Sequence, residues 1–178
     1  MAEPRYFKYP NEYSRIGGVT YNEVHDGVHL RQVTFNGSEY LASNVKQPPW
    51  DLVLPEKDTD YDEVMLDVPE ITEITKQEFD DIWNAHLATR QEIWNQVKQI
   101  YPIDIEVQGK ILIFFPQGVM VDLGDDAVGI ADYKACRASN ESEFMYPRHK
   151  ITAVVKDYDE TNQWIILDSP QVHAERIE

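Results

Sequence analysis

The sequence predicts an α+β module in its first half and an all-β domain in its second half. Three observations indicate this: short β-rich segments separated by hairpin dipeptides, one long stretch with apolar residues at helical spacing, and strand-like alternation that resumes after residue 102. A chain of 178 residues has room for two modest cores. We therefore expect two domains, residues 1–101 and 102–178.

The first element is a predicted antiparallel β-meander. Its strand-like segments are RYFKY, GGVTYNEV, GVHLRQVTF and EYLASN, which are rich in β-branched and aromatic residues. Asp26-Gly27 and Asn36-Gly37 lie between them, and both dipeptides favour the positive φ angles of tight hairpin turns. The alternation breaks near Arg31, where one extra residue, a β-bulge, is expected.

The second element is an acidic, proline-bearing connection over residues 46–70. Its prolines interrupt any long helix or central strand. The run from Asp58 to Glu63 begins like a calcium-binding loop, with acidic residues at the first, third and fifth positions. The sixth position is Glu63 instead of glycine, and the twelfth is Pro69 instead of glutamate. A solvated acidic linker is expected there, and no metal site.

The third element is one long helix, predicted from about Lys76 to about Ile100. Thr75 and Glu78 have the spacing of a capping box, and Pro102 ends the pattern. An apolar stripe recurs at helical intervals along it, comprising Phe79, Ile82, Trp83, Leu87, Trp94, Val97 and Tyr101. A lone meander needs a cover, so this aromatic face is expected to pack on the meander.

The second half has two widely spaced glycines and strand-like alternation. Gly109 and Gly118 suit strands that coil sharply and approach one another closely. Residues 119–123 alternate, so that Val119, Val121 and Leu123 would lie inside and Met120 and Asp122 on the outer row. The same alternation recurs in a predicted fourth strand, at Ile151, Ala153 and Val155.

These features together resemble the ribosomal-protein-S-one type of RNA-binding domain, a five-stranded barrel of the oligonucleotide-binding class. The resemblance rests on four features: the Gly109-to-Gly118 interval, the VDLG sequence after the second glycine, the GIAD run, and the Asp159-to-Leu167 interval in the last hairpin. It covers residues 103–169. The first half is only loosely similar to small uncharacterised bacterial modules with a meander and an EFDDIW-like helix, a similarity that implies no activity.

The resemblance implies an RNA-binding face, but several of its residues are replaced. Where the family has two aromatic residues and a histidine, this chain has Gln117, Met120 and Asp132. Other aromatic and basic residues could compensate and form a focused single-strand site. This candidate set is Phe114, Phe115, Tyr133, Lys134, Arg137, Arg148, His149, Lys150, Tyr158 and Trp164.

The composition narrows the class of function. Sixteen basic and 32 acidic residues give a net charge of −16, which excludes a broad basic surface that would bind nucleic-acid phosphates without sequence preference. No nucleophile elbow, phosphate loop, dinucleotide fingerprint or zinc-protease helix occurs in the sequence. We therefore expect that the protein is not an enzyme and that it has no catalytic residue, metal ion or cofactor. Two hypotheses remain: a non-catalytic protein that binds single-stranded RNA weakly, and an acidic adaptor or inhibitor that binds a basic protein partner.

The expected location is the cytoplasm. Cys136 is the single cysteine, so no intrachain disulfide can form, and a reducing compartment is the default. No apolar run approaches the length of a membrane span, and the first residues lack the apolar segment of a signal peptide. No membrane partner is expected.

Overall fold

The chain folds as two units, residues 1–89 and 90–178, in a computed structural model that describes residues 2–48, 52 and 58–178. The division lies twelve residues before the expected boundary between residues 101 and 102. Trp94 and Val97 explain the difference, because both side chains are buried in the core of the second unit.

A five-stranded antiparallel sheet forms the first unit, in the order β4-β3-β2-β1-β5. The meander is confirmed, and the Asp26-Gly27 turn has the positive φ angles, 49° and 80°, that this dipeptide favours. The pairing moves from Glu23–Arg31 to Val24–His29, so a bulge lies beside Arg31. The strands are β1 (Arg5–Pro10), β2 (Val19–His25), β3 (Val28–Phe35), β4 (Tyr40–Ala42) and β5 (Thr72–Ile74).

Helices contribute to the core on both sides of this sheet. Phe79 and Trp83 of helix α2 (Lys76–Ala88) form one cluster of buried residues with Tyr6 of β1. Tyr61 of helix α1 (Tyr61–Asp67) forms another with Phe7, whose side chain points to the opposite face because successive residues of a strand alternate. Helix α1 lies in the segment expected to be irregular. Residues 49–51 and 53–57 of that connection lie outside the described residues.

The predicted single helix over 76–100 is two helices. Helix α2 ends at Ala88, and helix α3 spans Gln91–Ile100. Thr75 caps α2 as expected, since its hydroxyl accepts a hydrogen bond from the Glu78 amide at 3.1 Å. The aromatic stripe is divided accordingly: its first half covers the sheet, whereas its second half belongs to the other unit.

A closed five-stranded barrel forms most of the second unit. The order around the barrel is β6-β7-β8-β10-β9 and back to β6; the β8–β10 pair is parallel and the other pairs are antiparallel. Helix α4 (Tyr133–Arg137) and a 3-10 turn (Ser142–Phe144) connect β8 to β9. The strands are β6 (Glu106–Phe115), β7 (Gly118–Gly124), β8 (Ala127–Ala131), β9 (His149–Asp159) and β10 (Trp164–Arg176).

The two glycines of the sequence pattern lie where backbones approach closely. A Cβ atom on Gly109 would lie 2.3 Å from the Asp122 carbonyl oxygen, and one on Gly118 would lie 2.6 Å from that of Ala131. No side chain fits at either position without a backbone shift. The predicted inner rows are confirmed: all six alternating residues of β7 and β9 belong to the apolar core, namely Val119, Val121, Leu123, Ile151, Ala153 and Val155.

Within the described residues, no helix is long and apolar enough to cross a bilayer.

Candidate nucleic-acid interface

An exposed aromatic pair lies at the end of the barrel that α4 occupies. The rings of Phe114 and Tyr133 meet edge to face, with centroids 6.1 Å apart and planes at 82°. Phe114 is 37% exposed and Tyr133 is 46% exposed. The Arg137 guanidinium lies 5.8 Å from the Tyr133 ring centroid, and Lys134 is exposed on the same helix. We call Phe114, Tyr133, Lys134 and Arg137 the aromatic–basic surface.

Strand register brings these residues together. Phe114 pairs with Val119, which in turn pairs with Ala131 at the end of β8. Asp132 follows, and its carboxylate accepts a hydrogen bond from the Ala135 amide at 2.8 Å. This cap starts α4 immediately beside the end of β6. The position of Tyr133 against Phe114 is therefore set by the barrel.

The chemistry of this surface suits a planar, anionic ligand. Aromatic faces stack on nucleobases, and a guanidinium contributes cation–π and phosphate contacts. Among the described residues, neither Lys134 nor Arg137 has an ion-pair partner. Their charges are therefore available to a ligand, on a chain whose net charge is −16.

Two predicted contact residues are inside the protein. Phe115 is 7% exposed and Trp164 is 1% exposed, and their ring centroids are 6.2 Å apart. The alternation of strand β6 explains the difference from Phe114, because neighbouring side chains point to opposite faces. Neither ring is accessible for stacking on a base, which corrects the expectation for both residues.

Tyr158 has a structural role at the other end of the barrel. Its hydroxyl donates to the carbonyl oxygen of Tyr101 at 2.8 Å, with that of Lys98 at 3.3 Å. Its ring meets Trp94 of α3 at right angles, with centroids 5.9 Å apart. Tyr158 therefore packs against and hydrogen-bonds to the α3 segment, and it does not belong to the aromatic–basic surface.

In the basic run at the start of β9, Lys150 and His149 have contacts of their own. The Lys150 ammonium pairs with Glu175 at 3.0 Å, and the His149 ring stacks on Phe144 with centroids 5.5 Å apart. Arg148 is exposed, with a φ of 73°, and its amide donates to the Ile111 carbonyl at 2.8 Å. The predicted site residues thus separate into a surface group, a buried group and structural contacts.

The three positions that differ from the family pattern have different environments. Met120 is fully buried, so it is not accessible to a ligand. Asp132 is exposed, and its carboxylate caps α4. Gln117 is partly buried in the β6–β7 turn. Of the three, Asp132 adds an exposed negative charge directly beside Tyr133.

Cys136 is an unreactive core residue. It is fully buried, and burial, together with the nearby Asp132 charge, raises the pKa of its thiol to about 11. The neighbouring Lys134 and Arg137 could have had the opposite effect if the thiol were exposed. Among the described residues, no group of three or more His, Cys, Asp or Glu side chains is arranged to hold a metal ion.

Two clefts in the first unit were not predicted from the sequence. The acidic cleft has a volume of about 500 Å³, and the apolar cleft has a volume of about 460 Å³. The only sequence signal was the acidic run near Asp58. The acidic cleft is lined by Ala2, Glu3, Arg5, Phe7, Val24, Asp26, Gly27, Asp58, Thr59, Asp60, Tyr61 and Asp62. The apolar cleft is lined by Tyr9, Pro10, Glu12, Tyr13, Thr59, Tyr61, Val64, Val68, Glu70 and Ile71.

Comparison with known proteins gives no family for this chain. No protein-family model matches it, and no curated protein matches it at a significant level. Any assignment of function therefore depends on the geometry of the chain's own residues.

Proposed function

We propose that this is a non-catalytic binding protein whose aromatic–basic surface binds a short stretch of single-stranded RNA weakly. The observation that carries the proposal is the pair of exposed rings, Phe114 and Tyr133, with the Arg137 guanidinium above the second ring. Stacking on two rings beside a cation is a common mode of sequence-tolerant single-strand binding.

The topology of the barrel supports the oligonucleotide-binding class. Numbered within the barrel, its strands run in the order 1-2-3-5-4, with a parallel pair between the third and fifth and a helix before the fourth. Barrels of this class bind single strands through the second and third strands and adjoining loops. Gly109 and Gly118, at their close backbone contacts, fit the S-one type within that class.

The small number of stacking rings and cations limits the affinity for RNA. Base stacking on an aromatic side chain contributes about 1–3 kcal/mol per base, so two rings can hold two bases. Lys134 and Arg137 can neutralise about two phosphates, so the single-strand salt slope should be about −1.4. A fourfold rise in salt should then weaken binding about sevenfold.

A fluorescence anisotropy titration tests the proposal. A labelled oligouridylate should bind the full chain in the micromolar range at low salt, and the double variant Phe114→Ala with Tyr133→Ala should weaken binding at least tenfold. Tyr13→Ala is the matched control, because Tyr13 is a fully exposed aromatic residue of the first unit. Flat anisotropy with the wild-type chain, or equal losses in the variant and the control, would overturn the proposal.

The acidic cleft favours the second candidate, an adaptor or inhibitor for a basic protein. Glu3, Asp26 and Asp58 line one cleft, and opposite charge speeds association and discriminates among partners. Recovery of one basic protein from lysate in the presence of RNase would favour this candidate, whereas recovery that depends on RNA would favour the first. We propose a cytoplasmic location for either candidate function, since Cys136, as the single cysteine, cannot form an intrachain disulfide.

A further inference from the structure

We propose that the first unit docks a basic peptide segment of a partner protein, with an apolar anchor in the apolar cleft and a Lys or Arg in the acidic cleft. The two clefts share Thr59 and Tyr61 in their linings, so they lie side by side. This inference rests on the second candidate function, an adaptor for a basic protein, and names its docking site; it is independent of RNA binding, because it concerns the other unit and another class of ligand.

The apolar cleft provides the anchor site. Tyr61 and Ile71 form its buried floor, at 4% and 8% exposure. Its rim carries Tyr13, which is fully exposed, and Val68, which is 38% exposed. A volume of about 460 Å³ lies within the range of pockets that bind drug-sized groups, so one or two side chains fit. Exposed apolar groups around such a cleft are typical of interaction sites.

The acidic cleft provides the charge. Its single cation, among the described lining residues, is Arg5, which is already paired with Asp62 and Glu73 at 2.9 Å each. Asp60 is also engaged, since its carboxylate caps α1. The carboxylates of Glu3 and Asp58 remain in the lining to meet an incoming cation, beside that of Asp26, which lies 3.8 Å from a His25 ring nitrogen. Among the described residues that line this cleft, carboxylates therefore outnumber cations.

Charge complementarity selects the occupant. Glu12 and Glu70 stand in the apolar cleft, and no cation occurs among the lining residues that the structure describes. A second copy of this chain or a nucleic acid would place more negative charge against these carboxylates. A basic peptide gains from both clefts at once, because its anchor is buried while its cations meet carboxylates.

The direct probe is a fluorescent peptide of about ten residues, alternating Lys and Gly around a central Trp-Leu pair. Its partner probe has the Trp-Leu pair replaced by Ser-Ser. Anisotropy at about 0.15 M salt, where exposed charges are screened beyond roughly 8 Å, should show saturable binding of the first probe. The second probe should bind at least tenfold more weakly, because it lacks the anchor.

Variants locate the site. Tyr13→Ala with Val68→Ser should weaken the first probe about tenfold, and Glu12→Gln with Glu70→Gln about threefold. The matched charge control is Glu106→Gln with Glu143→Gln, two exposed residues of the second unit, which should leave the affinity unchanged. Phe114→Ala with Tyr133→Ala should also leave it unchanged, so this result is independent of RNA binding. Thermal melts confirm that each variant is folded.

Five results would overturn the inference, four of them from the probe titrations. These are no saturable binding of the first probe, equal binding of the two probes, equal weakening by the cleft and control charge variants, and weakening of the first probe by Phe114→Ala with Tyr133→Ala. Dimerisation that is lost in Tyr13→Ala with Val68→Ser would identify a second copy of the chain as the occupant and would equally contradict a basic peptide.

Discussion

In the part of the chain that the structure describes, a cation held over two aromatic rings and paired with a carboxylate occurs once in each unit, in two different environments. In the first unit the Arg31 guanidinium lies 4.9 Å from the Phe79 ring centroid and 5.2 Å from that of Trp83, both on α2. The Arg31 Nη2 atom donates to a Glu23 carboxylate oxygen at 3.0 Å. This trio of a cation, a carboxylate and a pair of rings lies between the sheet and α2. The Arg31 and Glu23 side chains are only 10% and 11% exposed.

The second unit uses Lys98 in the same way. Its ammonium lies 5.3 Å from the Trp94 ring centroid and 5.9 Å from that of Tyr158. Glu160 accepts hydrogen bonds from the Lys98 ammonium at 2.9 Å and from the Trp94 indole at 2.7 Å. Here the Lys98 and Glu160 side chains are 26% and 59% exposed.

The comparison teaches that burial decides what such a trio contributes. Near the surface, water screens the pair, and its net contribution is at most about 1 kcal/mol. In the interior, removal of one partner leaves an uncompensated charge, which costs about 3–5 kcal/mol. The ion pair beside the aromatic rings is therefore essential to stability under α2, whereas on α3 it adds only modestly to the free energy of unfolding.

The largest expected effect comes from Glu23→Ala. It removes the main partner of the buried Arg31 guanidinium and leaves the more distant Asp80 carboxylate, at 3.7 Å, so the free energy of unfolding should fall by about 3 kcal/mol, the lower end of that range. Urea denaturation followed by circular dichroism measures this loss. Glu23→Leu combined with Arg31→Met should restore stability to within about 1 kcal/mol of wild type, because both charges are then absent. A loss below about 1 kcal/mol in the single variant would show that the pair is effectively solvated.

A smaller effect is expected from Glu160→Gln. The glutamine keeps an acceptor for the Trp94 indole but loses the charge that pairs with Lys98, so the loss of stability should be about 0.5–1 kcal/mol. This loss should shrink in about 1 M salt, where charges are screened within roughly 3 Å, whereas the Glu23→Ala loss should persist. Equal salt sensitivity in both variants would contradict the contrast between the two trios.

The smallest expected effect is a pH dependence from the same carboxylate. Burial alone would raise the pKa of Glu160, but the hydrogen bonds from Lys98 and Trp94 outweigh it, so the pKa is lowered. Its stabilisation is therefore present above the pKa of the unfolded chain, about 4.3, and is lost as pH falls through the lower folded value. Urea titrations from about pH 6 to 3 should show a shallower acid-side loss in Glu160→Gln than in wild type. Identical pH dependence of the free energy of unfolding in the two proteins would show that Glu160 does not contribute to the loss of stability in acid.

The barrel was the more predictable part of the molecule. Val119, Val121 and Leu123 lie in its core because period-two alternation fixes which face a strand residue takes. Gly109 could be singled out because only glycine tolerates such close backbone contact. The pattern alone could not show that Met120, on the opposite row, is also buried, since burial there depends on tertiary packing.

The break between α2 and α3 could not be predicted from local signals. Neither Thr89 nor Arg90 is a glycine or proline, and the apolar spacing continues across them. The helix ends there because Trp83 and Trp94 belong to different cores. The same reasoning applies to Trp164, whose burial depends on tertiary packing, since its strand neighbour Ile165 takes the position in the barrel core.

The central claim, that the aromatic–basic surface binds single-stranded RNA, is tested most directly by mapping amide chemical shifts by NMR as oligouridylate is added to the full chain. We expect the shifts to concentrate at Phe114 and over Tyr133–Arg137, with first-unit amides such as that of Tyr13 unchanged. Shifts that concentrate in the first unit, or none at saturating RNA, would contradict the claim.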